Sequence, residues 1–195
     1  NTGFYSLLAH AANPRIRTWA FEPNPAVFQK LRHHIEINGM TETCQPFALA
    51  AGDTTGSVKF QIPEDATMGH IAGPEEDGIE VPIQPLDEVL AGQSVDLVKI
   101  DVEGHELGVL RGMRNILAAS RPAVFFECLP GSPSQEIERE FAGHGYRLLH
   151  LGGGDPAPVG QLDPDQIHTP AVFVKRLFCG APYDKKIEQR TIRKA

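Results

Sequence analysis

Two carboxylates, a glycine and a histidine follow an apolar strand in the run Leu97-Val98-Lys99-Ile100-Asp101-Val102-Glu103-Gly104-His105-Glu106. In an open α/β sheet, ligands bind just beyond the carboxyl ends of the strands. Asp101, Glu103 and His105 therefore stand where a pocket is expected, and a carboxylate or imidazole held there can accept a proton from a reacting group. Gly104 lets the backbone turn tightly beside a ligand. A plainer reading has the same acids only favouring the N-terminus of the helix that follows.

Two other places point toward the same kind of pocket. Thr2-Gly3 opens the first helix, where free backbone N–H groups favour an anionic or carboxylate ligand, although Asn1 or Thr2 also suits a simple helix cap. Phe21-Glu22-Pro23-Asn24 places an acid at the end of the second apolar run, about 20 residues after the glycine turn, where nucleotide-binding folds hold ribose hydroxyls. A carboxylate accepts two hydrogen bonds from a vicinal diol. Asn24 can cap the helix starting at Pro25, which leaves Glu22 free for a ligand.

The elements that must position these groups alternate between helix and strand. Helical spacing predicts helices over Gly3–Ala12, Pro25–Asn38, Leu86–Leu90, His105–Ala119 and Ser134–His144, the last with Ile137 and Phe141 inward and Gly145 as its stop. Apolar or alternating runs predict strands over Thr18–Phe21, Cys44–Ala50, Val95–Ile100, Ala123–Cys128, Tyr146–Leu151 and Ala171–Arg176. Ser57–Ile62 and Ile79–Gln84 read as a hairpin around the polar loop Pro63–Gly78, and Gly152–Pro170 as an aperiodic Gly/Pro-rich loop. Such alternation argues for a doubly wound, mostly parallel α/β sheet.

Bulk properties narrow the function classes. A chain of 195 residues suits one domain with a real core, and 41% hydrophobic with 22% charged residues is ordinary for a globular protein. A formal net charge of −7 argues against a nucleic-acid surface. The basic run Lys185, Lys186, Arg190, Arg193 and Lys194 forms a tail over residues 181–195. Cys44, Cys128 and Cys179 form no C-x-x-C pair, which fits a reducing, cytoplasmic setting better than a disulfide framework. No apolar run approaches a membrane span, and no signal peptide is visible.

Ordered blocks over roughly residues 1–128 resemble the FkbM-type S-adenosylmethionine-dependent methyltransferases. They are Thr2-Gly3-Phe4-Tyr5-Ser6, Phe21-Glu22-Pro23-Asn24-Pro25, Asn38-Gly39, Ala48-Leu49-Ala50-Ala51-Gly52-Asp53, Pro85-Leu86-Asp87, Lys99 to Gly104, Leu110-Arg111-Gly112, and Arg121-Pro122 leading to Phe126-Glu127. The resemblance implies a Rossmann-like class I methyltransferase fold with an antiparallel last strand, Ala171–Arg176. It implies a single domain over residues 1–180 whose first strand lies upstream of Asn1. It further implies S-adenosylmethionine as cofactor, with Asn1, Thr2 and Gly3 bordering its methionine part and Glu22, Pro23 and Asn24 at the ribose. Phe47 and Ala48 would flank the adenine, and Asp101 would lie near the sulfonium and the acceptor. Asp53 reads equally well as part of a turn.

On this reading the partner is a small-molecule hydroxyl, on a sugar or a polyketide-like metabolite, which must lose a proton as it attacks the methyl group. Most of the catalytic gain would come from positioning. Asp101 is the favoured residue beside cofactor and acceptor, with Glu103 or His105 as base. Each has a blander alternative: Asp101 as a hydrogen-bonding residue only, His105 as an exposed first-turn residue, Glu127 as an acid paired with Lys99, and His70 as a solvated loop histidine. Mg²⁺ on Asp101, Glu103 and Glu127 is compatible with the residue types, but nothing in the spacing demands it. Two rivals share the fold: a nicotinamide-dependent oxidoreductase, which predicts a third glycine where Ser6 stands, and a non-catalytic domain.

Overall fold

The computed structural model describes residues 1–63, 69–73, 75–127, 132–146, 148–150, 157–158 and 171–173. Their elements, in chain order, are α1 (Phe4–Ala12), β1 (Thr18–Phe21), α2 (Pro25–Ile37), β2 (Cys44–Phe47), β3 (Ala50–Ala51), β4 (Gly56–Gln61), β5 (His70–Ile71), β6 (Ile79–Gln84), α3 (Leu86–Val89), β7 (Leu97–Ile100), α4 (Glu106–Arg111), α5 (Arg114–Ala119), β8 (Ala123–Phe126), α6 (Ser134–Gly143), β9 (Leu148–His150), β10 (Ala157–Pro158) and β11 (Ala171–Phe173). The strands form three small sheets: β1-β2, β3-β6-β4-β5, and β10-β9-β11-β8-β7. The chain divides into two compact units, Asn1–Ala50 with Ser57–Pro82, and Ala51–Gly56 with the described part of Ile83–Cys179.

In the first unit, β1 and β2 run parallel in the register Thr18↔Cys44 to Phe21↔Phe47, and α2 crosses between them. Asn24 starts α2: its Oδ1 accepts the N–H groups of Ala26 at 3.0 Å and Val27 at 3.5 Å, with Pro25 following at the position that needs no donor. Val27, Leu31 and Ile35 form the buried stripe, and Gly39, with φ 65, ends the helix so that Met40 N–H reaches the Ile35 carbonyl at 2.9 Å. Leu31, Ile35, Met40 and Cys44 make the core, with Leu7, Ala20 and Phe28 packed on it. Helix α1 forms as its spacing predicts, yet none of its residues is fully buried, and Phe4, Tyr5 and Leu8 are each more than half exposed.

The expected strand Cys44–Ala50 is two strands. The ladder from β1 offers four partners and ends at Phe21↔Phe47, after which Ala50–Ala51 joins a different sheet. The expected polar loop after β4 contains β5: His70 and Ile71 pair antiparallel with Gln61 and Phe60, satisfying the open edge of β4. His70 is thus a strand residue rather than a loop residue.

In the second unit, β7 and β8 are parallel, Leu97↔Ala123 to Ile100↔Phe126, and β11 lies antiparallel between β8 and β9. The antiparallel last strand therefore stands as expected, over Ala171–Phe173. Phe126, Phe141 and Tyr146 pack ring to ring at 5.6–5.7 Å, with Ile137 and Phe141 facing inward from α6. The Tyr146 hydroxyl donates to the Pro122 carbonyl at 3.0 Å.

The single helix expected over His105–Ala119 is broken at Gly112–Met113 into α4 and α5. The physical cause is Asp87, whose two carboxylate oxygens each accept an N–H from the start of α5, Asn115 and Ile116, both at 2.9 Å. These donors would otherwise bond within a continuous helix. Gly112 closes the arrangement by accepting the Asp87 N–H at 2.9 Å. A Cβ on Gly112 would fall 1.8 Å from the Gly52 carbonyl oxygen, so only glycine permits this approach. Cys128, Cys179, most of Gly152–Pro170, residues 174–176 of the last strand and the basic tail lie outside the described residues.

Candidate active site

In the first unit, the glycine turn and the acid at the end of β1 come together. Gly3 adopts φ 95, a left-handed conformation, and a Cβ there would meet Leu31 at 2.7 Å. The His34 ring and the Thr2 carbonyl lie 2.8 Å apart. Glu22 is buried; its Oε1 accepts the Asn24 N–H at 2.8 Å, and its Oε2 faces the Asn1 nitrogen. Asn24, expected both as a cap and beside a ligand, commits its Oδ1 to the α2 cap and is itself buried. Phe47, directly across from Phe21, stacks on it with centroids 4.9 Å apart and rings nearly parallel, while Ala48 beyond it is exposed. Gly3, Glu22, Phe47 and Ala48 thus share a unit in which two parallel strands end side by side.

In the second unit, Asp101 and Glu127 leave the sheet next to each other, because each follows a member of the last β7–β8 pair, Ile100↔Phe126. Asp101 is exposed and lies 3.5 Å from the Lys99 ammonium, which also donates to the Ile100 carbonyl at 3.1 Å. Glu103 is half-buried and holds φ 47, with Gly104 following at φ 98. A left-handed non-glycine residue costs roughly 1 kcal/mol or more, so this turn is held by its surroundings.

His105 is not an exposed first-turn residue. It precedes α4 with its ring turned back along the helix, where the glycines at 108 and 52 leave room: a Cβ at Gly108 would lie 2.3 Å from its Nε2, and one at Gly52 would lie 3.1 Å away. Burial pushes the imidazole below its ordinary pKa, and the Asp53 carboxylate draws it part of the way back. The buried Nε2 has no hydrogen-bond partner among the described residues. A neutral imidazole of this kind can take a proton.

Glu106 is the residue that sequence reasoning passed over. It is buried, its Oε1 accepts the Gly104 N–H at 3.0 Å, and its Oε2 has no partner among the described residues. Burial chiefly, with the nearby charges of Asp101 and Glu127, raises its pKa above the ordinary carboxylate value. The available signal was an acid set directly before the apolar run Leu107 to Leu110. Among the described residues, no group of three His, Cys, Asp or Glu side chains converges as a metal site. No described helix is long and apolar enough to cross a membrane.

Residues 1–148 match the sequence profile described as the methyltransferase FkbM domain. A hexuronic acid methyltransferase, AglP, from Haloferax volcanii is 31% identical over 106 residues, covering 53% of this chain and 44% of the relative. A short stretch of 36 residues is 50% identical to part of a probable succinyl-CoA:3-ketoacid coenzyme A transferase of Bacillus subtilis, covering 18% of this chain and 15% of that protein. The crystal structure of methyltransferase FkbM from Methylobacillus flagellatus superposes with a TM-score of 0.62 at 18% identity, covering 89% of this chain and 41% of the other, which shows a shared α/β fold. The chain thus spans less than half the length of both methyltransferases.

Proposed function

The chain belongs to the FkbM methyltransferase family, and from that premise we propose that it is an S-adenosylmethionine-dependent methyltransferase acting on a hydroxyl of a sugar-like small molecule. The observation that carries the reading is Glu22: a buried carboxylate at the carboxyl end of a parallel strand, in the same unit as the Gly3 turn and the Phe47 ring. Such a set fits the cofactor chemically. A carboxylate suits a ribose diol, an aromatic ring suits an adenine face, and a turn that excludes a Cβ suits close backbone approach. Gly3, Glu22, Phe47 and Ala48 are the residues assigned to hold it, with Asn1, Thr2 and Pro23 beside them. Asn24 supports the site from its capping position.

When bound, the cofactor supplies an electrophilic methyl group. This chain's residues orient the acceptor and take its proton, and we assign Asp101 to the place beside the acceptor, with Glu103 Oε or His105 Nε2 as the base. The name of the Haloferax relative raises a second reading, a sugar-acid carboxylate as acceptor. A carboxylate acceptor releases no proton, and the acids Asp101 and Glu127 side by side after β7 and β8 would repel it. A hydroxyl is the better match. The buried, free thiol of Cys44 suits a reducing compartment for the reaction.

The test is transfer of labelled methyl from S-adenosylmethionine to neutral sugars and to uronic acids, by the native chain and by Asp101→Ala. Neutral acceptors should be labelled, and Asp101→Ala should lose about 100-fold or more in rate, the scale of a misplaced acceptor. Label confined to uronic-acid carboxylates would overturn the hydroxyl reading, and a near-normal rate for Asp101→Ala would overturn its assignment. Thermal stabilisation by NAD and not by S-adenosylmethionine would reject the family activity for this chain.

A further inference from the structure

Glu106 sits at the first position of α4 with its side chain folded back on the turn that precedes it. Only 1% of it is exposed, less than any other acid among the described residues. Its carboxyl group takes the Gly104 N–H at 3.0 Å and its own backbone N–H. The turn it grips is strained at Glu103, which is left-handed at φ 47, while Gly104 takes its φ of 98 without penalty. That turn begins two residues after Asp101, and Glu103 is part of it.

An ordinary helix-opening acid faces water. This one is buried, as are the residues that follow it, Leu107, Val109 and Leu110, and its Oε2 lacks a partner among the described residues. A leucine would pack there without that penalty, so the acid is retained against a cost in stability. What the cost secures is visible in the geometry: one side chain from the helix fixes the backbone of the loop that carries the acids. Strain held by a dedicated side chain is common where a site must be pre-organised.

We propose that Glu106 is a positioning residue for methyl transfer: by holding the Gly104 amide it fixes the Glu103–Gly104 turn, and with it the directions in which Asp101 and Glu103 leave the end of β7. This rests on the reading that Asp101 stands beside the acceptor and that Glu103 is a candidate for its proton. Glutamine is its close mimic, since it has nearly the same shape and keeps a carbonyl oxygen to accept the Gly104 N–H.

Glu106→Gln and Glu106→Leu separate positioning from chemistry and from bulk stability. Three quantities are measured on each folded variant: hydrogen exchange of the Gly104 amide without ligand, kcat and KM for the acceptor, and the unfolding midpoint. Leucine should lower Gly104 protection by about tenfold, as one lost hydrogen bond does, and lower kcat by at least as much. Glutamine should keep protection and kcat within about threefold, the conservative rescue expected of a group that acts through its hydrogen bond. Unchanged Gly104 exchange or unchanged kcat in the leucine variant would overturn the proposal. So would a glutamine variant that loses as much kcat as leucine, because the carboxyl group's acid–base chemistry, and not its hydrogen bond, would then be what matters. A native chain that transfers no methyl group would reject the functional reading itself, while Gly104 exchange would still decide whether the clamp exists.

Discussion

Gly112→Ala should be among the most damaging single-atom additions in this protein. Gly112 has φ −78 and ψ −1, an ordinary right-handed conformation that alanine adopts freely, so the substitution carries no backbone penalty of its own. Its cost is spatial. The new Cβ would lie 1.8 Å from the Gly52 carbonyl oxygen and 3.2 Å from Pro85 Cα, and real Cβ atoms do not approach closer than 3.0 Å. Both obstacles are backbone atoms and cannot rotate away. Separating them strains the Gly52 N–H bond to the Gln84 carbonyl (3.1 Å) and the Asp87 N–H bond to the Gly112 carbonyl (2.9 Å). Overpacking a tight site costs about 1–3 kcal/mol, and each disrupted hydrogen bond about 1 kcal/mol more, giving a loss of about 3–5 kcal/mol. Against a total stability of about 5–15 kcal/mol, that is a large fraction.

Gly143→Ala supplies the control. It closes α6 with nothing within 4 Å of its ideal Cβ, and should be neutral or stabilising by up to about 1 kcal/mol. The assay is urea unfolding of both variants, with hydrogen exchange at the Asp87, Gly112 and Asn115 amides to localise the effect. A Gly112→Ala variant within about 1 kcal/mol of the native chain, with those amides equally protected, would refute the close-approach argument.

Asp87→Ala removes the acceptor of two α5 N–H groups. It should cost about 1–2 kcal/mol in urea unfolding, the upper range for a helix cap, and leave Asn115 and Ile116 as the amides that lose most protection. Tyr146 tests the pH axis. Burial pushes its phenol up to about 12 from an ordinary 10.0, so the folded state favours the neutral form. That contribution is fully present below pH 10 and is lost as pH rises toward 12, so stability should fall across this window as phenolate absorbance appears. Tyr146→Phe should lower stability at neutral pH by about 1–2 kcal/mol, because the Pro122 carbonyl loses its donor, and should flatten the alkaline slope. An unchanged slope would show that other groups dominate it.

Much of the site was legible from local pattern because local physics creates it. Asn24 before Pro25 announces the start of α2, and Asn38-Gly39 its end, since capping and left-handed turns are decided within a few residues. The acids after Ile100 stand at a strand end because alternation and apolar runs reveal where strands stop. Two of the missed features depend on a partner farther along the chain. Asp87 divides the expected long helix into α4 and α5 from 28 residues away. Two residues of the polar loop after β4 become β5 because β4 had an open edge to fill.

The sequence by itself determined the alternation of strands and helices, the family to which the chain belongs, and the residue types at the strand ends. Periodicity, caps and motif spacing are written in neighbouring residues, and backbone chemistry reads them without the rest of the chain. The tertiary structure alone decided which of those acids are in water. It left Asp101 exposed beside Lys99, set the His105 ring against Gly108, and buried Glu106 with its carboxyl on the Gly104 N–H. Burial and neighbouring charge set the proton affinity of a carboxylate or an imidazole, and both are properties of packing that adjacent residues do not specify.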